Sequence, residues 1–245
     1  MICTNISPDT FIWLDLDDTL IDFHGNSRLA LRQLWEDCRL DRWYDAPEQW
    51  IDNYEVSNID LWRRYALDEV TKDYLRLERM RAPLRPCWKG TPEALDAFAA
   101  ELDPLYLDRL AEQKGLVPGA LELLDALRQR GFRTGILSNG FKQVQYRKMD
   151  TTGITPYIDI VVLSDDIGVN KPALPIYRHA MQQAGVTDPA LNLMIGDNLT
   201  TDIGGAINAG WQAILLDPAS PEPLSHSTSH TTVNSLAALL SLLPG

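Results

Sequence analysis

FIWLDLDDTLID, residues 11–22, sets four carboxylates, those of Asp15, Asp17, Asp18 and Asp22, against a run of Phe, Ile, Trp and Leu. A short continuous apolar run of this kind reads as a strand buried on both faces of a sheet. Carboxylates at the end of such a strand need a reason. In open parallel sheets ligands bind beyond the carboxyl ends of the strands, so the final residues of each strand are where chemistry is expected.

From residue 116 onward, short apolar runs alternate with amphipathic stretches. FRTGILSN (132–139), IDIVVLS (158–164), LNLMIGD (191–197) and WQAILLD (211–217) read as strands, and PGALELLDALRQRG, FKQVQYRKMDTTG, LPIYRHAMQQAG and TTDIGGAINAG as helices. Gly131, Gly153, Gly185 and Gly210 suit helix ends, and Pro118 suits a first turn. Strands alternating with helices imply an α/β fold, a doubly wound, Rossmann-like parallel sheet. The tail DPASPEPLSHSTSHTT reads as a mobile loop, followed by a last helix in VNSLAALLSLL.

The opening strand is separated from the others by a stretch of different texture. SRLALRQLWEDCRL places Leu31, Leu34, Trp35 and Cys38 on one helical face, YALDEVTKDYLRL does the same with Leu67, Val70, Tyr74 and Leu77, and TPEALDAFAAEL is also helical. Five of the seven Trp, at 35, 43, 50, 62 and 88, lie in this insert and read mainly as its own core. The expected organisation is a core of residues 1–22 and 113–245 with a helical insert over 23–112.

Composition bounds the partners. A formal charge of -12 argues against a nucleic-acid polymer, which is bound by clustered Lys and Arg, but leaves room for a small phosphate ester. No signal-peptide pattern and no apolar stretch of membrane-spanning length is present, so neither secretion nor a membrane partner is expected. Cys3, Cys38 and Cys87 are odd in number and widely spaced, which fits reduced thiols in a cytoplasm; His24, His179, His226 and His230 lack zinc-ligand spacing.

Polar groups of a coherent kind follow the strands. Asp15 and Asp17, two residues apart, fall on one side of the chain and can converge on one ligand. Asp15, ionised at neutral pH, is the candidate nucleophile toward phosphorus, and Asp17 the acid/base that protonates the leaving oxygen and later deprotonates water. Thr19 would hold the loop. Ser138 offers a hydroxyl to phosphate, Asn139 and Gly140 offer backbone N–H groups where a helix begins, and Lys171 supplies compensating positive charge. Carboxylates cannot gather around a phosphate unaided, since two like charges about 4 Å apart repel by roughly 4 kcal/mol at an effective dielectric near 20. A divalent cation is needed, and oxygen-only ligands beside phosphate select Mg²⁺. Asp15 and Asp197 would ligate it by side chain and Asp17 by its backbone carbonyl, with Asp202 orienting them from behind.

DLDDT, LSNG, KP and GDNLTTD resemble, in this order, the four signature motifs of the haloacid dehalogenase-like hydrolase superfamily. The resemblance implies the same roles for Asp15, Asp17, Ser138, Lys171, Asp197 and Asp202, and it makes the insert a C1-type helical cap. SNGFKQVQ, DDIGVNKP and GDNLTTDIGGAINAGW resemble more narrowly the bacterial pyrimidine 5′-nucleotidases, with Ser138 where that group usually has Thr. The expected function is therefore a Mg²⁺-dependent phosphomonoesterase acting on a small molecule such as a nucleoside 5′-monophosphate. Three alternatives stand beside it: a 2-haloacid dehalogenase, which could dispense with Asp17; a sugar-phosphate phosphatase or phosphomutase; and, outside enzymes, a phosphoacceptor signalling domain. Trp43, Tyr44, Trp50 and Tyr54 are candidates to stack on a base, and hinges are expected near 22–27 and 108–117.

Overall fold

β1 (Phe11–Leu14) forms because every residue of FIWL is apolar and both faces of the strand find a cover. The computed structural model, which describes residues 6–244, sets it between β2 and β4 as the third strand of a seven-stranded sheet. The other strands are β2 (Thr134–Ser138), β3 (Ile160–Leu163), β4 (Asn192–Gly196), β5 (Gln212–Leu216), β6 (Leu224–His226) and β7 (Thr231–Val233), in the spatial order β3-β2-β1-β4-β5-β7-β6. Every pairing is parallel except β6 with β7. Leu14 is in register with Ile136 of β2 and Ile195 of β4, so the residues just past these three strands emerge side by side.

The chain divides into two compact units, Met1–Phe23 with Gly115–Gly245, and His24–Lys114. The second is helical: α1 (Phe23–Asp37), α2 (Pro47–Ala66), α3 (Lys72–Leu84) and α4 (Pro92–Ala111). The sheet unit carries α5 (Ala120–Gln129), α6 (Lys142–Thr152), α7 (Ser164–Ile167), α8 (Leu174–Ala184), α9 (Gly205–Asn208) and α10 (Leu236–Leu240). Alternation along β1 feeds two cores. Ile12 and Leu14 pack with Leu123 and Leu127 of α5 and Leu236 of α10, whereas Phe11 and Trp13 pack with Ile176, Tyr177 and Ala180 of α8.

Within the sheet unit, the segments that lead to and from the helical insert are fastened to each other. Ile21 bridges Leu116, Asp22 N–H donates to the Gly115 carbonyl at 3.2 Å, and Val117 N–H donates to that of Leu20 at 2.9 Å.

Two sequence expectations require correction. The tail expected as a mobile loop contains β6 and β7, and β7 adds in parallel to β5 with Thr231 and Val233 buried. Its Ser-, Thr- and Pro-rich composition hid the β-branched run of Thr231, Thr232 and Val233. The stretch YALDEVTKDYLRL is not one helix either. α2 ends at Ala66, Asp68 takes a left-handed backbone with φ 56°, and Thr71 starts α3 by accepting the Tyr74 N–H at 3.2 Å, leaving Leu67 and Tyr74 exposed. Cys3 lies outside the described residues.

The helical unit holds charged groups in its interior. Asp103 of α4 accepts from Arg79 Nη2 at 2.5 Å and from Arg76 Nε at 2.7 Å, and Glu78 is held by Arg81 and Arg85 at 2.6 Å each. Arg79 and Asp103 are both buried, so this pair ties α3 to α4 where solvent cannot compete. Of the aromatic residues considered for base stacking, Tyr44, Trp50 and Tyr54 are buried in this unit, and Trp43 stacks on Trp88 with ring centroids 5.1 Å apart. Three of the four are therefore core. Among the described residues no helix is long and apolar enough to cross a membrane.

Candidate active site

Asp15 follows β1 directly, and its N–H donates to the Ile195 carbonyl at 2.9 Å, which holds the start of this loop to the end of β4. Asp197 follows β4, and Asp202 enters from the π-helical turn Leu199–Gly204. One carboxylate oxygen from each of Asp15, Asp197 and Asp202 lies within 4.8 Å of the others. The π turn is anchored by Asn198, whose side chain accepts from Thr200 N–H and Thr201 N–H at 3.0 and 2.9 Å, and by Tyr177, whose hydroxyl donates to the Thr201 carbonyl. Such turns insert an extra residue and re-aim side chains, here bringing Asp202 under β4. Gly196 makes that approach possible, because a Cβ there would lie 2.3 Å from Asp202 Oδ2.

Lys171 joins these carboxylates. Its Nζ donates to Asp15 Oδ1 at 2.8 Å, to Asp202 Oδ1 at 2.6 Å and to the Leu137 carbonyl at 2.7 Å, which uses all three of its protons. Asn139 fixes the backbone of this lysine, accepting its N–H at 2.7 Å and donating to its carbonyl at 2.9 Å. Asn139 thus acts through its side chain on Lys171.

One buried cation faces three carboxylates, and the protonation equilibria register the imbalance. Burial alone would lower the Lys171 pKa, but Asp15 and then Asp202 reverse this and keep the ammonium charged. Burial raises Asp15 well above the usual carboxylate range, reinforced by Asp202 and Asp197 and opposed by Lys171. Asp197 is pushed up to about 7, first by burial and then by the negative charges of Asp202 and Asp18. Among the described residues Asp197 has no ion-pair partner, and its Oδ1 accepts from Thr19 Oγ1 at 3.2 Å. An all-oxygen donor set with uncompensated negative charge fits a hard divalent cation such as Mg²⁺.

Asp17 is held elsewhere. Its Oδ2 accepts from Gln145 Nε2 at 2.9 Å and its Oδ1 from Lys148 Nζ, so the carboxylate turns toward α6 and the side-chain cluster is completed by Asp202. The following residue, Asp18, has φ 56°, the left-handed kink that turns the loop back so that Asp17 bridges Ile21. Ser138 Oγ accepts from Gln145 Nε2 at 2.8 Å and from Gly140 N–H at 3.2 Å. The Gly140 N–H, expected to face a phosphate, is thus directed to Ser138.

Gln145, Lys148 and Tyr177 were not singled out in the sequence reading. A signal existed for the first two: Val144, Gln145, Lys148 and Met149 form the buried stripe of α6, and two of its four members are polar. Tyr177 carries no such mark, since a tyrosine on an apolar helix face reads as core.

The model of the haloacid dehalogenase-like hydrolase family matches residues 11–210, from the first residue of β1 to beyond α9. The chain belongs to this family. This haloacid dehalogenase-like hydrolase has relatives that it matches over most of their length. Pyrimidine 5′-nucleotidase YjjG of Escherichia coli (strain K12) is 31% identical over 95% of this chain and 97% of its own length. Pyrimidine 5′-nucleotidase PynA of Streptococcus pneumoniae is 30% identical over 90% of this chain and 86% of its own. Among solved structures, the HAD-hydrolase YfnB of Bacillus subtilis, crystallised with magnesium, superposes with a TM-score of 0.83 at 26% identity, covering 96% of this chain and 98% of that one. The L-2-haloacid dehalogenase of Xanthobacter autotrophicus, at 18% identity and a TM-score of 0.69, shares the fold.

Proposed function

We propose that this hydrolase is a Mg²⁺-dependent phosphatase of small phosphate monoesters, with a nucleoside 5′-monophosphate as substrate. The observation that carries the reading is the meeting of Asp15, Asp197, Asp202 and Lys171 at the strand ends, with Asp17 two residues beyond Asp15. In the first step an Asp15 carboxylate oxygen bonds to phosphorus as the ester P–O bond breaks, and the departing alkoxide takes the proton held by Asp17. In the second, a water oxygen bonds to phosphorus as the bond to Asp15 breaks, and Asp17 accepts the water's proton. Inorganic phosphate and free Asp15 result.

Asp15 and Asp197 would hold Mg²⁺ by side chain and Asp17 by its backbone carbonyl, with Asp202 and Thr19 orienting them. When bound, the cation supplies positive charge that draws electron density from the phosphoryl oxygens. Ser138 is the phosphate donor on the opposite side: its oxygen already accepts two hydrogen bonds, so its own proton is free to point at the phosphate. Lys171 keeps Asp15 oriented and offsets the charge of the transition state.

Asp17 favours this chemistry over halide displacement, because an alkoxide needs a proton to leave and a halide does not. The activities named for the two nucleotidase relatives support a pyrimidine nucleotide as substrate, with the nucleoside as leaving group. The helical unit would act as a cap that closes during transfer, with joints near 22–27 and 108–117, and the enzyme would work in the cytoplasm. A panel of nucleotides, sugar phosphates and 2-haloacids assayed with Mg²⁺ and with EDTA tests the reading. Nucleotide hydrolysis that disappears with EDTA and falls by roughly 10⁴-fold in Asp15→Asn is expected. Turnover indifferent to both would overturn it.

A further inference from the structure

Asp17 must present a carboxyl group to the leaving oxygen in one orientation, yet it sits on a loop past the end of β1 rather than on a regular element. What fixes it comes from α6. Lys148 Nζ donates to Asp17 Oδ1 and Gln145 Nε2 to Oδ2, one contact on each oxygen. The two donors are one helical step apart, at i and i+3, and therefore lie on the same face. Gln145 is 1% exposed and Lys148 3% exposed, whereas the Asp17 side chain is 27% exposed. The rigid partners are inside, and the group they hold reaches toward the open side.

Lys148 is itself constrained. Its ammonium lies 5.3 Å from the centroid of the Phe23 ring, which approaches it from the other end of the same loop. A lysine buried in this way costs free energy unless it is paired, and Asp17 is the pairing group. Gln145 has a second duty: its amide nitrogen carries two protons, one directed at Asp17 and the other at Ser138 Oγ at 2.8 Å. The amide nitrogen rather than its oxygen faces Asp17, which suits the ionised carboxylate. Gly140 clears the path, since a Cβ there would stand 2.0 Å from Gln145 Nε2.

From this geometry we infer that Lys148 is a positioning residue for leaving-group protonation, with Gln145 the strut that ties Asp17 to Ser138. The inference rests on the phosphatase reading. It differs from the roles of Lys171, which donates to Asp15 and Asp202 and not to Asp17. An ammonium that holds the acid, rather than the phosphate, matters in proportion to how much the leaving oxygen needs a proton.

This proportion is what the experiment reads. Lys148→Met is compared with wild type on two substrates, p-nitrophenyl phosphate, whose phenolate departs without protonation, and a pyrimidine nucleoside 5′-monophosphate, whose alkoxide does not. Both are followed as kcat/KM, which reports the first chemical step. The nucleotide value is expected to fall by about 10²-fold, the range of general acid catalysis, and the p-nitrophenyl value by no more than about threefold. Lys148→Arg, which restores a cation of similar reach, should recover most of the selective loss.

Equal losses on the two substrates would overturn the inference, because they would mean that Lys148 supports the fold or binds phosphate. Unchanged values on both would overturn it as well. Should Lys148→Met not fold, Gln145→Leu removes the other contact without burying or baring a charge, and the ratio between the two substrates must shift in the same direction. A wild-type protein inactive on every phosphate ester would instead sink the phosphatase reading itself, so the two failures are distinguishable.

Discussion

Lys171 Nζ stands between Asp15 and Asp202, 2.8 Å from one carboxylate and 2.6 Å from the other. With Lys171 and Asp202 both buried, the ammonium is what lets two acidic groups share this space. Lys171→Met is expected to cost about 3–5 kcal/mol of stability, the usual price of stranding a buried charge. The loss should shrink when Asp202→Asn is combined with it, because the two residues share one interaction. Denaturant unfolding of the two single variants and the double variant measures that coupling, and strict additivity would contradict it.

Gly196 offers a test that replaces no charged group. Its missing Cβ leaves the room that Asp202 Oδ2 occupies, so Gly196→Ala must displace that carboxylate. A displacement of about 1 Å in a group that orients catalytic partners can cost on the order of 10²-fold in turnover. The expected outcome is a fall in kcat with a stability loss of about 1–3 kcal/mol from overpacking. Wild-type kcat in this variant would show that Asp202 need not sit where it does.

Metal and protons should compete for the same carboxylates. The pKa of Asp197 is about 7 when folded against an ordinary 3.8, so between these values the folded, metal-free protein binds more protons than the unfolded chain. Stability contributed by this group is present below about pH 4 and is lost as pH rises toward 7. Asp15, raised by burial, shifts in the same direction. Thermal melts in EDTA should therefore show these groups favouring lower pH, whereas the increase in Tm on adding Mg²⁺ should be larger at pH 8 than at pH 6. A Mg²⁺ effect that grows as pH falls would contradict the assignment.

The helical unit depends on its own buried pair. Asp103→Ala leaves the Arg79 guanidinium buried without that carboxylate, at a cost of about 3–5 kcal/mol. Hydrogen exchange should show protection lost first in α3 and α4 while β1 and β4 keep theirs. Uniform loss across both units would mean that they unfold as one.

The central strands were legible because their apolar runs are bounded by turn residues, and the acidic, Ser-Asn-Gly and Lys-Pro groups stand at strand ends, where such sheets bind ligands. β7 was not, because a short Thr-Thr-Val run after a Ser-, Thr- and Pro-rich stretch looks like solvent-exposed loop until β5 and β6 lie beside it. α2 went unread although Trp50, Ile51, Tyr54 and Leu61 mark one face, because its acidic and amide residues blur the stripe. Lys148 was hidden by a general prior: lysines are surface residues, and only the position of Asp17 across the fold makes this one otherwise.

The fastening of Ile21 to Leu116 and of Asp22 to Gly115 means that the sheet carries its own clasp at the place where the chain departs and comes back. Whatever is threaded through that clasp can be exchanged, shortened or enlarged over evolutionary time without unseating Asp15. On the proposed function, selectivity would be free to diversify while the reacting groups keep a single inherited arrangement.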